Sequence, residues 1–254
     1  MRNTAFSLLM NGSGVVPMLS RRVAISASLV FLLNAGVALA DQGPPHGIEQ
    51  PDGLSGVTAR PAVHAKRPAL RIELSDYEQS AQLAGAGGNR PTFAVFDIPF
   101  ANGVIEVNIA AEINGRGGKD ARGFAGIAFH LTDDGEAFEA IYLRMANGTA
   151  NTPPPPAPRN VRAVQYIAHP GFHFPESRVE RPAHYEKAAN VALGRWYNLR
   201  LEIDGSNLRA LVDGIPVLTI DDLRRANTRG AIGLWVGDGT RAHFANLRID
   251  AAQP

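Results

Sequence analysis

The chain has 254 residues, a formal net charge of +1 and no cysteine. The balanced charge gives no electrostatic case for nucleic-acid binding, and the sequence has no basic stripe with interleaved aromatic residues. The lack of cysteine excludes disulfides, thiolate metal sites and a cysteine nucleophile. The 26 glycines and 18 prolines favour short strands and turns over long helices.

The first 40 residues have the order of an export signal. Arg21 and Arg22 precede an apolar run at 23–33, and small residues then lead to Ala40. A basic region, an apolar region and a small-residue site in this order predict a signal peptide over 1–40. Polar and small residues within the apolar part argue against the alternative, a membrane anchor. We therefore expect a periplasmic or secreted protein with no stable membrane span after cleavage.

The next segment, 41–67, is rich in glycine, proline and small polar residues and has no sustained period. This composition predicts a flexible linker. The folded domain is then expected over 68–251.

From residue 69 onward, short apolar runs alternate with turn signals. Strands place alternate side chains on opposite faces, and Asp204-Gly205 and Asp213-Gly214 are hairpin signals between alternating runs. About a dozen short strands of this kind predict an all-β fold, a two-sheet antiparallel jelly-roll sandwich. The expected strands are 69–74, 92–97, 103–113, 123–132, 138–145, 161–167, 186–191, 196–203, 208–212, 215–220, 231–236 and 242–249.

The stretch 123–144 combines an aliphatic face with a polar one. Its alternation predicts that His130, Tyr142 and Arg144 lie together on the face turned away from the core. An imidazole, a phenol and a guanidinium suit a sugar-like ligand, because sugar rings stack on aromatic side chains and hydroxyls bond to fixed polar groups. The alternative is a solvated sheet face with a structural salt bridge.

Further residues are candidates for the same site. Gln165 and Tyr166 are adjacent, so only one of them faces the ligand, and the pattern does not say which. Glycines flank Trp235 and are expected to leave its ring open for sugar stacking, with a core tryptophan as the alternative. Glu139 and His130 are each a candidate catalytic acid or base. Glu139 would need a bulge to reach the site, and otherwise it is a buried, paired carboxylate.

The order of these motifs resembles a known superfamily. GVIEV at 103–107, GFAGIAF at 123–129, EAIYLR at 139–144, GLW at 233–235 and FANL at 244–247 carry the resemblance. Over about residues 94–250 the chain is similar to the concanavalin A-like lectin/glucanase superfamily, in particular to laminin-G-like and 3-keto-disaccharide hydrolase domains. The resemblance implies a concave sheet that faces a carbohydrate or glycoside and, if the protein is an enzyme, a hydrolase or lyase of the 3-keto-glycoside type.

The glucanase mechanism does not follow from this resemblance. Active family 16 glucanases carry two glutamates and an aspartate alternating on one strand, whereas the nearest match here is Glu106, Asn108 and Glu112. At about 3.3 Å per residue the two glutamates lie roughly 20 Å apart. A retaining glycosidase needs only about 5 Å between its carboxyl groups. That strand therefore cannot supply the catalytic pair alone.

Cofactors and the kind of partner are less constrained. No cofactor is expected, although calcium at Asp133, Asp134 or Asp238 stays open, since laminin-G-like domains sometimes bind it; turn chemistry also explains these aspartates. The alternative to a sugar site is a laminin-G-like adhesion domain that binds a protein partner. Phe172 and Phe174 on a rim would favour that alternative.

Overall fold

The computed structural model describes residue 48 and residues 50–85, 90–226 and 228–252. The predicted signal peptide, 1–40, lies outside these residues. Within them, no helix has the length and apolar character needed to cross a membrane.

The described residues form fourteen strands and two α-helices. The strands are β1 (Gly53–Ser55), β2 (Val57–His64), β3 (Arg67–Leu74), β4 (Phe93–Phe100), β5 (Gly103–Ile113), β6 (Phe124–Leu131), β7 (Phe138–Arg144), β8 (Val164–His169), β9 (Glu186–Lys187), β10 (Tyr197–Asp204), β11 (Asn207–Val212), β12 (Ile215–Ile220), β13 (Gly230–Val236) and β14 (Thr240–Ala251). The helices are α1 (Asp76–Leu83) and α2 (Phe174–Glu180).

The strands form two antiparallel sheets of seven strands each. Sheet A has the order β1-β4-β13-β6-β7-β8-β9, and sheet B has the order β12-β11-β10-β5-β14-β3-β2. Inward side chains of both sheets share one apolar core, for example Ile141 and Leu143 from sheet A and Val107 and Ile109 from sheet B. The predicted all-β, two-sheet sandwich is confirmed, and the two Asp-Gly turns connect β10, β11 and β12 as a meander.

The linker prediction is wrong for part of 41–67. Gly53–Ser55 pairs with β4 and Val57–His64 pairs with β3, so the sandwich begins before residue 68. These strands lie at sheet edges, where proline is tolerated because its missing N–H costs no ladder bond. Pro61 within β2 is such a case. Composition alone therefore did not predict β2, because its pairing with β3, and not a local signal, stabilises this strand.

All four edge strands are short or contain proline. Sheet A ends in β1, with three residues, and in β9, with two. Sheet B ends in β2, with Pro61, and in β12, with Pro216. In β12 the pairing register also shifts beside Pro216.

Two helices interrupt the strand pattern. Ser75 caps α1 by accepting a hydrogen bond from the backbone N–H of Glu78 at 3.2 Å. A serine followed three residues later by glutamate is a recognised helix-start signal. The second helix, α2, lies within the long connection between β8 and β9 and covers the outer face of sheet A near Arg144.

Sheet A is apolar on both faces. Besides the shared core, its outer face carries a second buried cluster that includes Phe93, Phe138, Tyr142 and Trp235. Consequently β7 is buried along its whole length. A ligand site on this face therefore has a rigid, dry floor.

We expect Ile109→Ala to lower the free energy of unfolding by about 2–5 kcal/mol, because it leaves a cavity in the centre of the core. Ile109 is fully buried on β5, between β10 and β14. The control is Val63→Ala on the edge strand β2, where the side chain is 71% exposed. Its expected effect lies within about 0.5 kcal/mol. Urea denaturation measures both, and equal losses would contradict this placement of the core.

Candidate ligand-binding cavity

The alternation of β7 places the central residues of the site. Ile141 and Leu143 point into the core, whereas Tyr142 and Arg144 lie on the outer face of sheet A. The Arg144 guanidinium donates to Tyr142 Oη at 3.2 Å, to Gln165 Oε1 at 3.1 Å and to a carboxylate oxygen of Glu186 at 3.2 Å. These bonds hold the guanidinium in one orientation.

The structure also decides between the two adjacent residues on β8. Gln165 pairs with Tyr142 across the strands and lies on the outer face, bonded to Arg144. Its amide nitrogen donates to the backbone oxygens of Tyr166 and Tyr185, at 2.7 and 3.2 Å. Tyr166 points into the core instead. Gln165 therefore helps to orient the Arg144 guanidinium, whereas Tyr166 lies in the core and does not line the cavity.

A cavity of about 520 Å³ opens above this face. Its floor comes from β6, β7 and β13, and its walls come from the end of α1, the loop before β6, the connection after β7, and α2. Its aromatic lining residues are Phe124, Tyr142, Phe174 and Trp235.

Trp235 lines the cavity, but its ring is not open as predicted. It is only 1% exposed and lies 4.7 Å from the Tyr142 ring, centroid to centroid. The flanking glycines do not free its surface. A Cβ at Gly237 would come within 2.9 Å of the Trp235 ring and of Phe124, and one at Gly233 within 3.0 Å of Phe93. These glycines allow close aromatic packing instead.

The accessible aromatic surface comes from two other rings. Phe174 at the start of α2 is 41% exposed, and Phe124 is partly buried. The guanidinium carbons of Arg178 and Arg144 lie 4.8 and 6.0 Å from the Phe174 ring centre. Phe172 instead packs against the core, 5.0 Å from the Tyr185 ring. These two phenylalanines therefore do not form a common rim for a protein partner.

Glu186 holds three arginines of the cavity wall together. Its carboxylate accepts hydrogen bonds from Arg144 at 3.2 Å and, through both oxygens, from Arg178 at 2.8 Å, and it forms an ion pair with Arg162 at 3.0 Å. Burial acts to raise the pKa of Glu186. The hydrogen bonds and charges of Arg178, Arg144 and Arg162 outweigh this effect, so the pKa lies below its ordinary value. The carboxylate is therefore ionised at neutral pH.

The predicted placement of His130 beside Tyr142 is wrong. His130 adopts a left-handed backbone conformation with φ of 54°, and the pairing of β6 with β13 is irregular at this point. This bulge breaks the alternation and turns the ring inward. Its Nδ1 lies 2.7 Å from Glu139 Oε2, and its Nε2 lies 2.8 Å from the backbone oxygen of Ala101.

Glu139 is the centre of a closed internal network, which is the alternative that the sequence left open for it. Besides His130, its carboxylate accepts hydrogen bonds from the Tyr166 hydroxyl and from the backbone N–H of Arg225, the latter at 3.2 Å. Burial raises the pKa of Tyr166, and the negative charge of Glu139 raises it further, so the phenol keeps its proton. Glu139 and His130 are fully buried, and neither lines the cavity. Their catalytic role stays a prediction.

Two of the three aspartates considered for calcium, Asp134 and Asp238, have protein partners. Asp134 Oδ1 accepts from the Thr132 hydroxyl at 2.6 Å. The two oxygens of Asp238 accept from Gln79 Nε2 at 2.7 Å and from the Gly118 N–H at 2.9 Å. Calcium binding stays a prediction.

A separate group of potential metal ligands, His64, Glu112 and His243, lies on sheet B. The two imidazole rings are stacked, with centroids 4.4 Å apart and planes 17° apart. Because an imidazole lone pair lies in the ring plane, one ion cannot meet both rings without a rotation.

No protein-family model matches the chain, and no curated protein matches its sequence. Among solved structures, the chain is similar to the carbohydrate-binding module CBM66 from Bacillus subtilis, at 16% identity over 77% of this chain and 95% of the module, with a TM-score of 0.47. A Caenorhabditis elegans galectin has 13% identity over 65% and 98% of the two chains and a TM-score of 0.39. A putative glycosyl hydrolase from Parabacteroides distasonis has 14% identity over 62% and 82%, with a TM-score of 0.35.

Replacing Glu139 with alanine is expected to lower the free energy of unfolding by at least about 3 kcal/mol, because His130 and Tyr166 lose their buried partner. The control is Glu136→Ala, an exposed glutamate in the preceding turn. Chemical denaturation measures both changes. A small loss for Glu139→Ala would show that the network does not stabilise the fold.

Glu186 is expected to make stability depend on pH in the acid range. Its pKa in the folded protein lies below the ordinary value of 4.5, so the unfolded chain binds the proton first as the pH falls. The stabilisation is present above about pH 4.5 and is lost as the pH falls through the folded pKa. Unfolding midpoints between about pH 6 and pH 3 should fall more steeply for the wild type than for Glu186→Gln. Glu136→Gln should follow the wild type, and identical slopes for all three proteins would contradict the assignment.

Proposed function

We propose that the protein binds a carbohydrate in the cavity on sheet A. The observation that carries this proposal is the accessible ring of Phe174 next to the guanidinium of Arg178, which Glu186 holds in place. A sugar presents an apolar ring face together with hydroxyl groups. An aromatic wall beside oriented hydrogen-bond donors matches both features.

The dimensions of the cavity support the same proposal. Its volume of about 520 Å³ lies within the range of roughly 300–1,000 Å³ that is usual for small-ligand sites. The floor is held by the buried cluster around Tyr142 and Trp235 and needs no rearrangement to support a ligand. A preformed site of this kind loses little entropy on binding.

The carboxylates of the cavity favour binding over hydrolysis. Among the described lining residues these are Asp120 and Asp238. Both oxygens of Asp238 accept hydrogen bonds from protein donors, and Asp120 pairs with Arg122 at 3.1 Å. A glycosidase needs one protonated carboxyl group to act as the acid. Protein donors already occupy both aspartates, so we propose a binding domain.

The predicted signal peptide over 1–40 adds a location to this proposal. A sugar-binding sandwich with that signal would act in the periplasm or outside the cell. Its ligands would then be glycans of the envelope or the surroundings.

We expect Phe174→Ala to weaken oligosaccharide binding about tenfold, which corresponds to ~1.4 kcal/mol, because the ligand loses its stacking partner. The control is Val179→Ala on the same helix, where the side chain is 85% exposed and outside the cavity lining. Calorimetric titration of oligosaccharides selected on a glycan array measures the affinities.

Equal affinities of the two variants would contradict the assignment of the cavity. Binding to no glycan on the array would contradict the function itself and favour the adhesion alternative. Cleavage of a bound glycoside, or of its 3-keto form, followed by mass spectrometry, would instead show an enzyme.

A further inference from the structure

The cavity has an unusual concentration of positive charge. Its lining includes the guanidinium groups of Arg122, Arg144, Arg159, Arg162 and Arg178. They come from the loop before β6, from β7, from the connection between β7 and β8, and from α2, and they converge on one space. The carboxylates among the described lining residues and their ion-pair partners are Asp120, Asp238 and Glu186. Five positive charges thus face three negative ones.

The charge is not evenly compensated. Three of the arginines share the single carboxylate of Glu186, as described above, so each of these three has an ion-pair partner. Arg159 differs from these three arginines in its bonding partners. Its guanidinium donates to Asn147 Oδ1 at 3.1 Å and to the backbone oxygen of Ala146 at 3.3 Å. Both partners are neutral, and within the described residues Arg159 forms no ion pair.

Arg122 adds a second positive charge next to Arg159. It donates to the backbone oxygens of Lys119 and Ala121 at 2.9 and 2.8 Å, and its ion-pair partner Asp120 is 79% exposed. Burial lowers the pKa of Arg159, and the positive charge of Arg122 lowers it further. Both effects disfavour the charged form of this guanidinium. Asp238 also lines the cavity, but among the described residues it forms no ion pair with Arg159 or Arg122.

A bound oxyanion would offset both the burial of Arg159 and its repulsion by Arg122. A guanidinium carries five N–H donors, and the two neutral partners of Arg159 leave several of them for a ligand. The planar fork matches the paired oxygens of a carboxylate or a sulfate. The neutral partners meanwhile keep the guanidinium oriented without neutralising it. This combination of a fixed direction and an uncompensated charge is what an anion site requires.

We propose that the carbohydrate bound in the cavity is acidic, and that its carboxylate or sulfate group binds Arg159 and Arg122 while its ring contacts Phe174. This inference rests on the proposed function, because it takes the occupant of the cavity to be a sugar. It adds the ligand class, uronic-acid or sulfated glycans, and a residue pair that selects it.

The test uses matched pairs of ligands that differ only in charge. Oligogalacturonates are compared with their methyl esters, and sulfated galactan oligosaccharides with the desulfated chains. For the protein with its native residues we expect at least one acidic member to bind about tenfold or more tightly than its neutral partner, which corresponds to ~1.4 kcal/mol. The preferred pair shows whether the anion is a carboxylate or a sulfate. The preference should decrease as the salt concentration rises.

Variants connect the preference to the proposed residues. In Arg159→Gln the ratio between acidic and neutral ligand should fall close to one, and in Arg122→Gln it should fall by several-fold. The control is Arg209→Gln on β11 of sheet B, which removes a half-exposed arginine outside the cavity and should leave the ratio unchanged. Thermal unfolding shows whether each variant is folded. Arg159 bonds only neutral groups, so its replacement leaves no carboxylate unpaired.

The possible failures can be told apart. Equal binding of acidic and neutral ligands, with both dependent on Phe174, would overturn the inference and leave the proposed function intact. An acidic preference that Arg209→Gln reduces as much as Arg159→Gln would also overturn it, since the attraction would then come from overall charge. Absence of binding by every member of both pairs would count against the inference and the proposed function together.

Discussion

The cavity depends on the register of β7, the strand in which core and ligand-facing residues alternate. Ile141 and Leu143 fill the space between the sheets, while Tyr142 and Arg144 lie under the cavity. A slip of one residue would exchange the two faces and put a guanidinium into the apolar core. The buried aliphatic side chains therefore fix the position of the polar ones. The second apolar cluster, on the outer face, restricts this strand from the other side as well.

The charges in the cavity wall have two different functions. Around Glu186, three arginines share one carboxylate, and these ion pairs tie α2 and the strand β7 into one wall. At Arg159, the protein supplies orientation but no opposite charge. A buried carboxylate with three partners costs less to desolvate than an isolated one, so the first group belongs to the architecture. Under the proposed acidic ligand, the second group has its electrostatic complement in the bound anion.

The strands were predictable where a strong local signal is present. The boundaries of β5 and β12 match the expected ranges, because alternation and Asp-Gly turns act over a few residues. The position of His130 was not predictable, since nothing local indicates a left-handed backbone at a histidine. The outward placement of Tyr142 followed directly from the period of two.

Most of the charged wall could not be predicted from the sequence. Arg122, Arg159 and Arg178 lie in two loops and a short helix, far apart along the chain, and a loop arginine has no distinguishing pattern. Their convergence results from how the connections fold back over sheet A. The exposed ring of Phe174 shares this origin: the sequence indicated only a possible rim residue, and the start of α2 directs the ring to the cavity. Tertiary structure, and not local propensity, assembles this part of the site.

The edges of the two sheets have a consequence for how molecules of this protein meet one another. An exposed strand edge with free N–H and C=O groups is a template on which another chain can add a strand, and this is a common start of aggregation. Here one sheet ends in strands of three and two residues, and the other ends in strands interrupted by Pro61 and Pro216. The chain has no disulfides to hold it together. Its protection against strand addition from another molecule therefore lies in the short and proline-containing edges themselves.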